Sequence, residues 1–256
     1  MKTIRLNILK VISPDFALGK ALTFLRALWN VTILILAYPS RRSLRMTSLI
    51  LLVKPRFTMV TSKNLISLYN LVQRANQANL PGDIVECGVW NGGSAAVMGA
   101  ALFDDHQHPH TRGLWLFDSF QGLPKPSERD GIAEQESYFQ GWCKGEPTNV
   151  TRAFQALGVP TSDVHVIPGW FNDTLGTVAI SQICVLHIDA DWYDSVKVVL
   201  DHFYDKVVPG GFVMLDDYGY WSGCERAVAD FFAEHQIARI KLKQTDHGGA
   251  YFQKPA

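Results

Sequence analysis

Apolar residues recur along this chain at two periods, and the alternation between them outlines a domain. From Thr61 onward, Asn64, Leu65, Leu68, Leu71, Val72 and Ala75 fall three and four residues apart, which predicts a helix ended by Pro81-Gly82. Ile84–Val89 reads as a short strand running into the glycine-rich Asn91-Gly92-Gly93-Ser94, and Ala95–Leu102 as an alanine-rich helix with Ser94 as its cap. Leu114–Phe117 is a buried strand ending at Asp118, followed later by strands Val164–Ile167 and Ile183–Ile188, the second ending at Asp189. Ser195–Tyr204 has helical spacing. Pro209-Gly210-Gly211 reads as a turn into strand Phe212–Leu215, which Asp216-Asp217 closes. Cys224–His235 predicts a helix and Ala250–Gln253 a closing strand. Short apolar strands alternating with helices argue a Rossmann-like α/β domain with a mostly parallel sheet, covered on both faces. The polar, Pro/Gly-punctuated stretch Gln121–Thr148 carries no strong helix signal. It is long for a connection and reads as a lid or binding loop.

The first 55 residues differ from the remainder, 56–256. Up to residue 56, Asp15 is the only acid beside Lys2, Arg5, Lys10, Lys20, Arg26, Arg41, Arg42, Arg45, Lys54 and Arg56. Ala21–Tyr38 is mostly apolar but interrupted by Arg26 and Asn30, and its clean run Val31–Tyr38 falls far short of the roughly 20 residues a spanning helix needs. Its late start also fits a cleaved signal peptide poorly. We read residues 1–55 as a helical extension that packs on the domain or on a second subunit of a homo-oligomer; peripheral contact with an anionic membrane surface is the alternative. Over the whole chain 24 Lys and Arg balance 24 Asp and Glu, which gives no reason to expect a nucleic-acid surface. Cys87, Cys143, Cys184 and Cys224 are far apart, without CxxC or zinc spacing, consistent with reduced thiols in a cytoplasmic protein.

Three features carry candidate chemistry. The loop Glu86–Ser94 lies between a strand and a helix, where glycine permits tight turning and close approach and free helix N–H groups favour a carboxylate-bearing ligand. Gly88 and Gly92-Gly93 do not form GxGxxG, so a dinucleotide grip is not indicated; glycines required only for packing are the competing reading. Asp118, at the end of the next strand, suits both ribose hydroxyls of an adenosine, or else caps a strand towards solvent. Asp189 and Asp191 end one strand, Asp216 and Asp217 another. If those strands are neighbours, three or four carboxylates converge and repel, and a hard divalent cation resolves the conflict. Four separate exposed acids would be the bland outcome. His106, His108 and His110 read as a solvated loop, and His187 as a core or supporting residue facing the same side as Asp189. Trp170, Trp192, Tyr193, Tyr218 and Trp221 lie near this rim, to pack the core or to shape an adenine or acceptor pocket.

Several longer segments, in order, resemble the macrocin O-methyltransferase family: Arg56–Val60, Pro81–Trp90, Phe117–Pro124, Pro168–Phe171, Asp189–Ser195, Gly210–Phe212 and Asp216–Tyr218. The resemblance runs over residues 56–253 and leaves residues 1–55 uncovered. It implies a class I methyltransferase fold with a seven-stranded sheet, S-adenosyl-L-methionine and Mg²⁺ as cofactors, and methyl transfer to a hydroxyl of a sugar, a glycosylated metabolite or a glycan. By the same resemblance Glu86, Gly88 and Ser94 line the methionine end of the cofactor, and Asp118 with Ser119 holds the ribose. Asp216 and Asp217, with Asp189 or Asp191, hold Mg²⁺. Which of Asp189 and Asp191 is ligand and which is base stays open, and Ala190 stands between them where the family usually has glycine. A catechol-like phenol acceptor and a non-catalytic scaffold are the rival functions; clustered acids weigh against the scaffold.

Overall fold

In the computed structural model, strands β1 (Asp83–Cys87), β2 (Leu114–Asp118), β3 (Val164–Pro168), β4 (Ile183–Ile188) and β5 (Val207–Leu215) run parallel, and β7 (Ala250–Gln253) pairs antiparallel with β5 and with the short β6 (Lys243–Gln244). The order across this seven-stranded sheet is β3-β2-β1-β4-β5-β7-β6. The structure describes Trp29 and residues 41–54, 56–104, 112–237 and 240–255. Apart from Trp29, the expectation for Ala21–Tyr38 lies outside these, as do those for His106, His108 and His110. Among the described residues no helix is long and apolar enough to cross a membrane.

Alternation along the strands divides the interior into two cores. Ile84, Leu116 and Met214 face one side, against helices α1 (Arg41–Val53), α2 (Ser62–Gln77), α3 (Gly93–Phe103) and α5 (Pro147–Leu157). Val85, Phe117 and Leu215 face the other, against α7 (Tyr193–Phe203) and α8 (Ser222–Glu234). Helix α3 is buried from Gly93 to Ala101, which explains its small residues: a Cβ on Gly99 would sit 3.0 Å from the Phe154 ring and 3.1 Å from Val159. Two short helices, α4 (Ile132–Ser137) and α6 (Phe171–Thr174), complete the set.

Three sequence expectations change. Ser94 does not cap α3: Gly92, with φ 82°, precedes the helix, and Ser94 lies inside its first turn. Pro209-Gly210-Gly211 is not a turn before the last parallel strand but an irregular stretch within β5, where pairing with β4 skips from Val207 to Phe212. Its backbone stays bonded through Gly210 N–H to the Lys254 carbonyl at 2.9 Å. The stretch Gln121–Thr148 contains α4 and the start of α5, whose Val150, Ala153, Phe154 and Leu157 are buried. Helix α1 buries Met46, Leu49, Ile50 and Val53 in the same core as α2 and α3. A bidentate Arg45–Asp104 pair at 2.8 and 3.1 Å ties α1 to the end of α3.

Truncating a fully buried aliphatic side chain removes transfer energy and leaves a cavity. Ile50→Ala is therefore expected to destabilise the domain by about 2–5 kcal/mol in urea unfolding; a loss far below that range would show that α1 is not part of the core.

Candidate active site

The carboxyl ends of β1, β4 and β5 bring the candidate residues to one rim. The pairing of Cys87 with Ile188, and of Ile188 with Leu215, sets the segments that follow these strands side by side. Asp189, Asp191 and Asp217 then converge, with one carboxylate oxygen from each within 4.8 Å of the others. Asp191 adopts a left-handed backbone with φ 54°, its N–H donates to Asp217 Oδ2 at 3.0 Å, and its Oδ1 accepts the Trp221 indole N–H at 3.0 Å. Burial, then repulsion from Asp216 and Asp217, drives Asp189 well above the usual carboxylate range; burial, then Asp191 and Asp216, does the same to Asp217; and burial carries Asp191 to about 7 against its bond from Trp221.

Asp216 stands apart from this trio. Consecutive residues at a strand end point to opposite sides, and Asp216 Oδ1 accepts from Asn64 Nδ2 at 2.8 Å, 4.0 Å from His187 Nε2. Burial raises its pKa against the pull of His187, Asn64 and Lys54. Lys54, at the end of α1, is itself pushed down to about 8 by burial despite Asp216 and Asp246. His187 is a core residue, as its place in the strand suggested; its Nδ1 lies 2.8 Å from Glu86 Oε1, both side chains being fully buried.

The glycine loop is shaped by packing. A Cβ on Gly88 would collide with the Asp189 carbonyl oxygen, one on Gly92 would meet Val150 at 2.8 Å, and one on Gly93 would meet Thr58 at 2.7 Å. Evidence for a ligand comes instead from the polar atoms around the loop. No side chain caps α3, which leaves first-turn N–H groups for a carboxylate, and Glu86 Oε2 is buried without a partner. Asp118 accepts from Val89, Trp90 and Phe120 N–H at 2.7, 2.8 and 2.6 Å, which leaves room on Oδ1 for one hydroxyl rather than two. Burial raises its pKa against those three bonds. Ser94 is buried in the first turn, and the Ser119 hydroxyl is engaged in its own turn, donating to Gly122 O and accepting from Gln121 N–H, both at 3.1 Å.

Residues outside the sequence-derived set complete the rim. Asp130 Oδ1 accepts the Tyr193 N–H at 2.7 Å at the start of α7; Glu134 Oε1 accepts from Ser222 N–H at 2.7 Å and Gly223 N–H at 3.2 Å at the start of α8. The stretch expected to be a lid is thus clamped to the helices that follow the acids. Asn64 also donates to Gly248 O at 3.1 Å and accepts the Thr245 hydroxyl, joining α2 to the β6–β7 turn. Its only signal in the sequence is a polar residue within an apolar helical stripe. A second acidic group, Asp201, Glu234 and His235, is exposed, and the Lys197 ammonium lies 2.7 Å from Asp201 and 2.8 Å from Glu234.

The macrocin-O-methyltransferase (TylF) family matches residues 52–254. Mycinamicin III 3''-O-methyltransferase of Micromonospora griseorubida is 33% identical over 204 residues, spanning 78% of this chain and 79% of that protein. The 8-demethyl-8-(2,3-dimethoxy-alpha-L-rhamnosyl)-tetracenomycin-C 4'-O-methyltransferase of Streptomyces olivaceus is 32% identical over 203 residues, 78% of this chain and 76% of that one. The solved structure of the O-methyltransferase NovP matches with a TM-score of 0.71 at 33% identity, over 78% of this chain and 83% of its own.

The acid trio has a pH signature. Between the unfolded aspartate value of about 3.9 and the folded value of about 7 for Asp191, the folded state keeps protons that the unfolded chain releases. Its contribution to stability therefore declines as pH rises through that window. In EDTA, wild-type Tm should fall more steeply from about pH 5 to about pH 8 than that of Asp217→Asn; equal slopes would show that the acids are not in contact.

Proposed function

Since this chain belongs to the macrocin O-methyltransferase family and is an O-methyltransferase, we propose that it transfers the methyl group of S-adenosylmethionine to a sugar hydroxyl of a glycosylated small molecule, assisted by a divalent cation such as Mg²⁺. The observation that carries this reading is the acid trio, set directly beside the loop after β1 by the contact of Gly88 with Asp189. A rhamnosyl group in the name of the Streptomyces olivaceus relative supports a sugar as the acceptor.

The residues present fit both groups. Three carboxylates offering only oxygen suit a hard cation, and Asp189, Asp191 and Asp217 are those that would hold it. The uncapped start of α3, with Glu86, Gly88 and Ser94 around it, suits the amino-acid end of the cofactor, and Asp118 has one acceptor position for a ribose hydroxyl. When bound, S-adenosylmethionine supplies an electrophilic methyl group, and the cation supplies charge that lowers the pKa of an acceptor hydroxyl.

The chain's own residues do the remaining work. Trp221 holds Asp191 Oδ1, which leaves Oδ2 to receive the proton of the acceptor hydroxyl. Asp217 fixes the Asp191 backbone, so this base is positioned before the acceptor arrives. Holding oxygen, methyl carbon and sulfur in line contributes up to about 7–11 kcal/mol. Trp142, Trp192 and Trp221 pack beside the acids and limit access of water.

Calorimetric titration of S-adenosylmethionine, first with Mg²⁺ and then with EDTA, is expected to show binding in both conditions. Methyl transfer to simple rhamnosides should require Mg²⁺. Asp217→Asn should weaken cation binding at least about 10-fold, the lower bound for disturbed metal sites. No cofactor binding would overturn the cofactor assignment, and transfer that survives EDTA would remove the cation from the mechanism.

A further inference from the structure

A chain of aromatic rings runs outward from the acid trio. Trp221, which donates to Asp191, meets Tyr220 at 4.7 Å and 78°, and meets Trp142 at 6.2 Å and 90°. Trp142 in turn stacks on Phe139 at 5.7 Å and 17°. Trp192 lies against both inner rings, 5.3 Å from Trp221 and 6.0 Å from Trp142, and its indole N–H donates to the Pro124 carbonyl at 2.9 Å. The inner rings are sheltered, whereas the two ends of the chain face solvent, Phe139 at 42% and Tyr220 at 44% exposure. The Tyr220 backbone is fixed by its N–H to the Asp217 carbonyl at 3.0 Å.

One exposed ring is ordinary surface. Two exposed rings joined to a cluster of edge-on and tilted indoles, one of them hydrogen-bonded to a candidate base, form an apolar edge to a polar site, the composition typical of small-molecule pockets. We propose that Phe139 and Tyr220 are specificity-determining residues that bind the apolar, ring-bearing group to which the acceptor sugar is attached. This rests on the sugar-hydroxyl reading above. A sugar that presents its hydroxyl to Asp191 occupies the space over the trio and Trp221. Tyr220 lies one ring beyond Trp221, and Phe139 two rings beyond it through Trp142. Both are therefore left for what the sugar carries, and a flat apolar group gains most from two aromatic faces.

The test uses the full chain saturated with S-adenosylhomocysteine and Mg²⁺, titrated calorimetrically with 2-naphthyl α-L-rhamnoside and with methyl α-L-rhamnoside. The naphthyl glycoside is expected to bind about tenfold or more tightly, the value of one well-placed ring contact. Phe139→Ala and Tyr220→Ala should each shrink that ratio, and the double variant should abolish it. Tyr220→Phe should retain it, because the ring and not the hydroxyl makes the contact. S-adenosylhomocysteine affinity is measured separately in every variant, so failure of the methyltransferase reading shows there first. Equal affinities for the two glycosides, or a ratio that survives the double substitution, overturns the role of the rings while leaving the sugar reading intact; binding of neither while S-adenosylhomocysteine still binds overturns the sugar acceptor and the role of the rings with it.

Discussion

Three carboxylates, one buried and two half-buried, held within 4.8 Å of one another repel, and the architecture around the rim is what keeps them together. A left-handed residue other than glycine costs on the order of 1–3 kcal/mol, and Asp191 occupies that conformation with its N–H bonded to one partner acid. The chain then enters α7 after Asp191, and it enters α8 a short turn after Asp217. Both helix starts are capped from outside, by Asp130 and Glu134. The segment between β2 and α5 is consequently a brace for the acids as much as a wall of the site.

A second polar system, on the other side of Asp216, joins different parts of the fold. Asn64 contacts Asp216, Gly248 and Thr245, and thereby links α2, the end of β5 and the β6–β7 turn. Glu86 and His187 form a buried pair across β1 and β4. The adjacent Asp216 and Asp217 thus take different hydrogen-bond partners, Asn64 for Asp216 and the Asp191 backbone for Asp217.

Much of this was legible in the sequence, for identifiable reasons. Strands buried on both faces read as near-continuous apolar runs, so β4 stood out most clearly, and so did the acids that end β2 and follow β4 and β5. The family resemblance added the order of the motifs. Helix α5 was hidden because Pro147 opens it within a polar stretch and its apolar face is only four residues wide. The separation of Asp216 from the trio follows from alternation past Leu215, where the sequence already ended the strand, but its partner Asn64 lies 152 residues away along the chain. Asn64, Asp130 and Glu134 act across long sequence separations, on backbone groups whose positions no local pattern reveals.

The closest backbone approach in the site has a consequence for how such a protein diversifies. Gly88 lies against the Asp189 carbonyl so tightly that no side chain fits between them. The loop after β1 and the acid rim are therefore packed in direct backbone contact, and drift in either is constrained by the other. Novelty has to enter elsewhere, through surfaces such as Phe139 and Tyr220 that carry no share of that contact. A lineage built on this scaffold can change what it modifies while the machinery of modification stays fixed.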